Sequence, residues 1–290
     1  MKNPNENRIL RRQTTWYAIN IKARREQNTA HYVRTFNSLL QQDPLVELDR
    51  NRCESLKSIV FSEILDKEST PLWINLTLLA YTIIDPDAFY NRRSREDITI
   101  DNWDTDIVAN KREAELIFIP SIHIIAVKRS SDISLNNIIK YLSEALNIIE
   151  PDGFDVSAIV ERDVLDRILK AHAVMRIEAN ISYSNPGNTK GFQSVFEKEI
   201  KDMGADKLSV IASGTSEYPL LRKEDGLLEA LVNMAEQDGN VKATIQSTES
   251  SRLENIDSSE HPRVIVIPLI INNICSTIYR EFSLIFGHNN

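Results

Sequence analysis

The residues in this chain that could do chemistry are its five histidines, two cysteines and a scatter of carboxylates. Zinc sites need paired nitrogen or sulfur donors at short spacing. His31, His123, His172, His261 and His288 form no HxxxH or HxH pair, and Cys53 and Cys275 form no CxxC. A class of RNA-cleaving helical domains uses Arg, four to six residues, then His. Arg167 with His172 fits that spacing, as does Arg24 or Arg25 with His31. With five histidines, twenty arginines and 290 positions, about one such match is expected by chance. A metal-dependent nuclease needs strand-borne carboxylates followed by an acid-x-Lys pair, so that hard oxygen ligands hold a cation. Glu199-Ile200-Lys201 has those letters but falls in a helical pattern. Asp85, Asp87, Asp97, Asp101, Asp104 and Asp106 lack the glycine and closing Glu of a calcium loop and read as a solvated excursion. There is no GxSxG, SxxK or Walker loop, and Gly187-Asn188-Thr189-Lys190-Gly191 has its residues in the wrong order for one. The expectation is no catalytic residue, no metal and no cofactor.

Charge gives a different lead. The net charge of −8 disfavours general nucleic-acid binding, yet the cations are unevenly placed. Arg8, Arg11, Arg12, Lys22, Arg24 and Arg25 crowd the first 25 residues, and Arg92, Arg93 and Arg95 form a second knot. A basic arm on an acidic body can seat a chain on phosphates while keeping it soluble. The competing reading is a solvated N-terminus.

These residues must be positioned by a core, and the composition supplies one: 42% apolar and 26% charged is an ordinary globular balance. Eight glycines leave little for glycine-built phosphate loops. The N-terminus has no apolar stretch behind its charges, and the apolar runs near Leu76 and Val264 are short of the ~18 residues of a membrane span. A cytoplasmic protein without membrane insertion is expected.

The spacing predicts a strand at 16–21, a helix at 28–42 capped by Asn28 or Thr29, and a hairpin of strands 55–65 and 72–83. A polar excursion at 84–112 follows. A second hairpin, 115–120 with 123–128, precedes an amphipathic helix at 134–149 closed by Pro151-Asp152-Gly153. Beyond it the pattern predicts strands at 155–160, 174–183, 207–212, 241–246 and 264–267. Helices are expected at 164–171, 192–203, 225–236 and 271–286, with a loop at 184–188. The terminal helix has an apolar side, Ile271, Ile274, Cys275, Ile278, Phe282 and Ile285, for its own sheet or for a dimer contact. Hairpins first and alternation later argue for α+β, with mixed, largely antiparallel sheets and helices on one face. Two subdomains, 1–150 and 151–290, are expected.

Two stretches carry a family resemblance. Residues 113–127, Glu-Ala-Glu-Leu-Ile-Phe-Ile-Pro then Ser-Ile-His-Ile-Ile-Ala-Val, with the following helix, resemble the hairpin-plus-helix block of a bacterial family found in mobile-element and defence settings. Met175-Arg176-Ile177-Glu178-Ala179-Asn180-Ile181, the helix after it, and Met203-Gly204-Ala205-Asp206 before a strand resemble the RexA-like phage-exclusion family. The resemblance spans roughly residues 16–250 and carries no catalytic residue. It implies an antiviral, abortive-infection type protein that binds DNA as a homodimer. It would act as sensor or partner of a second effector, often a membrane protein. The alternative is a toxin-like ribonuclease or metal-dependent nuclease.

Overall fold

The structure is a computed structural model. It describes residues 11–49, 51–100, 102–182, 194–195, 198–199, 202–205, 207–215, 217–221, 223, 226–270 and 273–287. The loop expected at 184–188 and most of the helix expected at 192–203 lie outside these residues. Among them the chain is α+β, with fourteen strands and five α-helices in mostly antiparallel sheets.

The first sheet is built on β1 (Arg11–Ala23), an unusually long strand. One edge of β1 pairs along Trp16–Asn20 with β8 (Ile124–Lys128). Its other edge is shared: β14 (Val264–Ile270) pairs with Arg11–Tyr17 and β9 (Phe154–Ala158) with Ile19–Ala23. Outward from β8 the order continues through β7 (Ala109–Ile119), β4 (Ile74–Thr82), β3 (Arg52–Phe61) and β2 (Val46–Asp49), making eight strands. A small hairpin, β5 (Phe89–Asn91) with β6 (Glu96–Ile98), occupies the excursion between β4 and β7.

Alternation decides the two faces, because successive side chains of a strand point to opposite sides. Ile19, Ile21, Leu116, Phe118, Ile125 and Val127 face α1 (Thr29–Gln42) and α2 (Leu135–Ile149). Trp16, Ala18, Ile117, Ile119, Ile124 and Ala126 face the terminal helix α5 (Ile274–Phe286), which buries Ile278, Phe282 and Phe286 there. The run Leu-Ile-Phe-Ile in β7 is apolar on both sides because both sides are covered. Helices therefore sit on both faces of this sheet, α1 and α2 on one and α5 on the other. Leu284 and Ile285 of α5 point outward, and Ile285, expected on the apolar side, is 37% exposed.

The helix starts follow local chemistry. Asn28 Oδ1 accepts the His31 N–H at 2.8 Å, and Ser134 Oγ accepts that of Asn137 at 3.2 Å. Each satisfies an amide that has no partner inside the helix. Asp43 ends α1 in the left-handed region, φ 42°.

The second sheet has the order β11 (Lys207–Ser213), β10 (Ala173–Ser182), β12 (Gly239–Gln246), β13 (Leu253–Asp257). One face is covered by α3 (Arg162–Lys170) and α4 (Leu227–Asp238) around Leu165, Ile168, Leu231, Val232 and Ile245. The division expected at residue 150 does not follow the sheets. β9, β14 and α5 all lie beyond it and complete the first sheet. The second sheet is an insertion between β9 and β14, and its two connections run side by side: Val160 pairs with Pro262, and the Arg263 N–H donates to Ile159 O at 2.7 Å.

Candidate functional site

The nine cations predicted to contact nucleic acid separate in space. Arg8 lies outside the described residues. Arg11 and Arg12 open β1 opposite Ile270 and Leu269. From Arg11 onward the expected basic arm is instead a central strand. Lys22, Arg24 and Arg25 lie at its far end, and at about 3.3 Å per residue Arg12 and Arg24 stand roughly 40 Å apart. Arg24 is also committed: its Nε and Nη2 donate to both Asp155 carboxylate oxygens at 2.9 and 2.8 Å, with each side chain 12% exposed. Arg25 is exposed. Arg92, Arg93 and Arg95 are exposed at the tip of the β5–β6 hairpin. Asn91 Oδ1 shapes that tip by accepting the N–H groups of Arg93 and Ser94, and Arg95 sits at φ 63°.

Strand register shows which cations converge. Tyr17 pairs with Val127, Val127 with Leu116 and Leu116 with Leu76, so β1 and β7 start at the same end of the sheet. There β8 and β4 end and, through the pair Arg52 with Thr82, β3 begins. That end therefore gathers Arg11, Arg12, Arg52, Lys111, Arg112, Lys128 and Arg129, and the Arg92–Arg95 hairpin hangs from it between β4 and β7. Asp49 and Asp132 share the region, and the excursion that carries the hairpin adds Asp85, Asp87, Glu96, Asp97, Asp104 and Asp106. Glu113 is bonded by Lys111 and Lys57, whose hydrogen bonds hold its carboxyl down at about 2.

At this end a cleft of ≈ 400 Å³ opens between the sheet and the first turn of α2, lined by Arg52, Thr82, Asn110, Arg112, Ser134 and Asn137, with Asp132 also present. Glu54 does not line it but neighbours two residues that do, Cys53 in sequence and Ala80 across the strand pair. It pairs across β3 and β4 with Ala80, which pairs with Arg112 on β7, so the three residues share one face. Glu54 is fully buried and neither carboxylate oxygen has a hydrogen-bond partner. Burial pushes its carboxyl up to about 7. The Tyr141 hydroxyl of α2 is likewise buried and unpartnered. Burial, then the charges of Asp43 and Glu54, raise it well above an ordinary phenol.

A second, smaller cleft of ≈ 280 Å³ lies between the two sheets and includes Lys22, Arg24, Asp155, Asn180, Ser209 and Asn240. Ser209 Oγ donates to Asn180 Oδ1 at 2.7 Å there. Near it, His31 lies between Glu150, at 3.2 Å, and Glu26, at 3.7 Å, with its ring stacked on Phe154. The Tyr32 hydroxyl meets His123 Nδ1 at 2.9 Å and accepts the Ala23 N–H.

The arginines of the two Arg/His spacings point to acids: Arg24 is held by Asp155 and Arg167 by Glu254. His172 is exposed between α3 and β10. The excursion's acids serve its turns, with Asp85 and Asp104 accepting the N–H groups of Asp87 and Asp106. Asp101 lies outside the described residues, as do Lys201 and Gly187–Gly191. Among the described residues no group of three or more His, Cys, Asp or Glu is placed to hold a metal ion. Also among them, no helix is long and apolar enough to cross a membrane.

Arg52, Arg112, Glu54 and Tyr141 are absent from the predicted site. The one local signal was an acid inside an otherwise buried strand, Cys53-Glu54-Ser55-Leu56. The arginines could be found only through the register that brings their strand ends together.

Taken together, the chain is a two-sheet antiparallel α+β protein whose larger sheet has one cation-rich end with a polar cleft set into it. It belongs to the DUF4747 family, a domain of unknown function, whose profile matches residues 12–283. No curated protein matches it at a significant level.

Proposed function

We propose that this DUF4747 protein binds nucleic acid, DNA in the first instance, through the cation-rich end of its eight-stranded sheet, and that it works by binding rather than by catalysis. The convergence of β1, β3, β7 and β8 on that end carries the reading, since four strands distant in sequence deliver cations to one place. The β5–β6 hairpin extends the surface with three exposed arginines at its tip, beside the exposed Glu96 and Asp97, on a two-stranded ribbon, a shape that fits the major groove. Cations supply the salt-dependent affinity for phosphates, while the acidic remainder keeps the chain soluble. Lys22, Arg24 and Arg25 fall outside this surface. The biological setting rests on the resemblance to phage-exclusion proteins: a bacterial cytoplasmic antiviral protein, acting as a homodimer with a second effector.

Fluorescence anisotropy with a labelled DNA duplex over a salt series tests the reading. Binding should weaken with salt, and replacing Arg92, Arg93 and Arg95 together with Ala should reduce the log–log slope by about 2 to 3, at roughly 0.9 per phosphate contact. Arg25→Ala should leave the slope unchanged. Absence of binding at about 50 mM salt, where phosphate contacts are strong, would overturn it.

A further inference from the structure

We propose that the cleft between Arg52, Arg112 and the first turn of α2 is a phosphomonoester site, taking the terminal phosphate of a nucleotide or of a nucleic-acid strand. Four observations meet there. Arg52 and Arg112 line the cleft from β3 and β7, the strands on either side of β4. Helix α2 points its N-terminus into it, and Ser134 caps only the Asn137 amide, so the Leu135 and Asn136 N–H groups have no partner within the helix. Helix N-termini favour anions through these amides and the helix dipole. Thr82, Asn110 and Asn137 add neutral hydrogen-bonding groups. Finally, Glu54 is completely buried on the same face with both oxygens unpartnered, in line with Ala80 and Arg112. Evolution of a buried acid with no partner is costly unless something else meets it. In its protonated form Glu54 adds no negative charge on this face.

Charge and shape select the ligand class. A phosphomonoester carries a charge of about −1.5 to −2 near neutrality, which suits two guanidinium groups and a helix N-terminus, with Asp132 the one carboxylate among the lining residues. A terminal phosphate can enter between helix and sheet, whereas a backbone diester has chain on both sides. The site deepens the nucleic-acid reading when the phosphate is a strand end and stands without it when the source is a free nucleotide.

Two calorimetric comparisons test it: AMP against adenosine, and a short single-stranded oligonucleotide with a 5′-phosphate against the same strand with a 5′-hydroxyl. In at least one pair the phosphorylated form should bind about tenfold tighter or more, the scale of charge-assisted hydrogen bonds. Preference only in the first pair identifies a free nucleotide, and preference in the second a strand end. Arg112→Ala and, separately, Arg52→Ala should each remove the preference, while Arg25→Ala keeps it. Circular dichroism confirms that each variant is folded. No preference in either pair, or a preference that survives in both folded cleft variants, overturns the proposal. Binding of the 5′-hydroxyl strand reads the wider nucleic-acid surface separately, so its loss alone leaves an AMP preference standing.

Discussion

Glu54 places a pH dependence inside the core. Its carboxyl has an ordinary value of 4.5 and is raised to about 7 by burial in the folded chain. Between those values the unfolded chain releases the proton while the folded chain keeps it, so the unfolded state binds fewer protons and stability falls as pH rises. Below about 4.5 both states are protonated and the penalty vanishes. Above about 7 it is complete, roughly 3 kcal/mol at 1.36 kcal/mol per unit. Asp43, Tyr81 and Tyr141 face the same region, and neither phenol titrates in this window because burial raises both. Glu54→Gln should therefore flatten this component between pH 5 and 8 and raise the melting temperature at pH 8. A wild-type minus variant difference that does not change with pH would exclude Glu54 as its source. The acid was legible in the sequence only as an oddity in an apolar strand. Its lack of a partner depends on what α2, β4 and β7 bring near it, and no local pattern encodes that.

At the scale of elements, periodicity and caps located most of the fold. Asn28 and Ser134 start their helices as capping residues should, and the Pro120 break separates β7 from β8. Four strands escaped: β5 and β6, inside the expected polar excursion, and two more. β2, Val46–Asp49, is a short edge strand immediately after a helix cap. β13 reads Leu-Glu-Asn-Ile-Asp, with only Ile256 buried, and resembles an acidic loop. Both are held as arms of local hairpins, β2 with β3 and β13 with β12, rather than by an apolar pattern of their own. The cations were legible as residues but not as a surface, since Arg12 and Arg24 look adjacent in sequence and occupy opposite ends of one strand. Gly239 shows how tightly an element junction can be set. Helix α4 passes into β12 at this residue, and a Cβ there would stand 2.0 Å from the Asn180 carbonyl oxygen of β10. Its φ of −175° is extended, so the constraint is contact rather than backbone conformation. Gly239→Ala should cost about 1–3 kcal/mol, the range for overpacking, read as a lowered urea midpoint. Gly287→Ala, whose Cβ would meet only Ile122 at 3.9 Å, should be close to neutral. Equal midpoints for the two variants would mean that the β10–β12 ladder yields more readily than its register implies.

The whole molecule is one sheet interrupted by another. β1 is completed by β14, which follows the entire second sheet in sequence, and α5 then seals the face carrying Trp16, Ile117 and Ile119. The insertion leaves and returns through adjacent backbone: Ile159 N–H donates to Ala18 O, Glu161 N–H to His261 O, and Glu161 Oε1 accepts the Val264 N–H at 2.6 Å. Opposed residues of an antiparallel pair lie about 5 Å apart, so a few flexible residues can span Val160 to Pro262. Loop-closure entropy changes only slowly with loop length. Replacing 161–261 with a short Gly-Ser linker should therefore leave a chain that unfolds cooperatively, with the first sheet and its cation-rich end intact. Ending the chain after residue 261 should do the opposite. It removes β14 from the central strand and strips α5 from the buried face, exposing side chains whose burial stabilises by roughly 1.5–3 kcal/mol each. Far-UV circular dichroism with urea titration distinguishes the two variants. If the linker variant fails to fold while the truncated one folds, the second sheet, and not the β1–β14 closure, organises this chain.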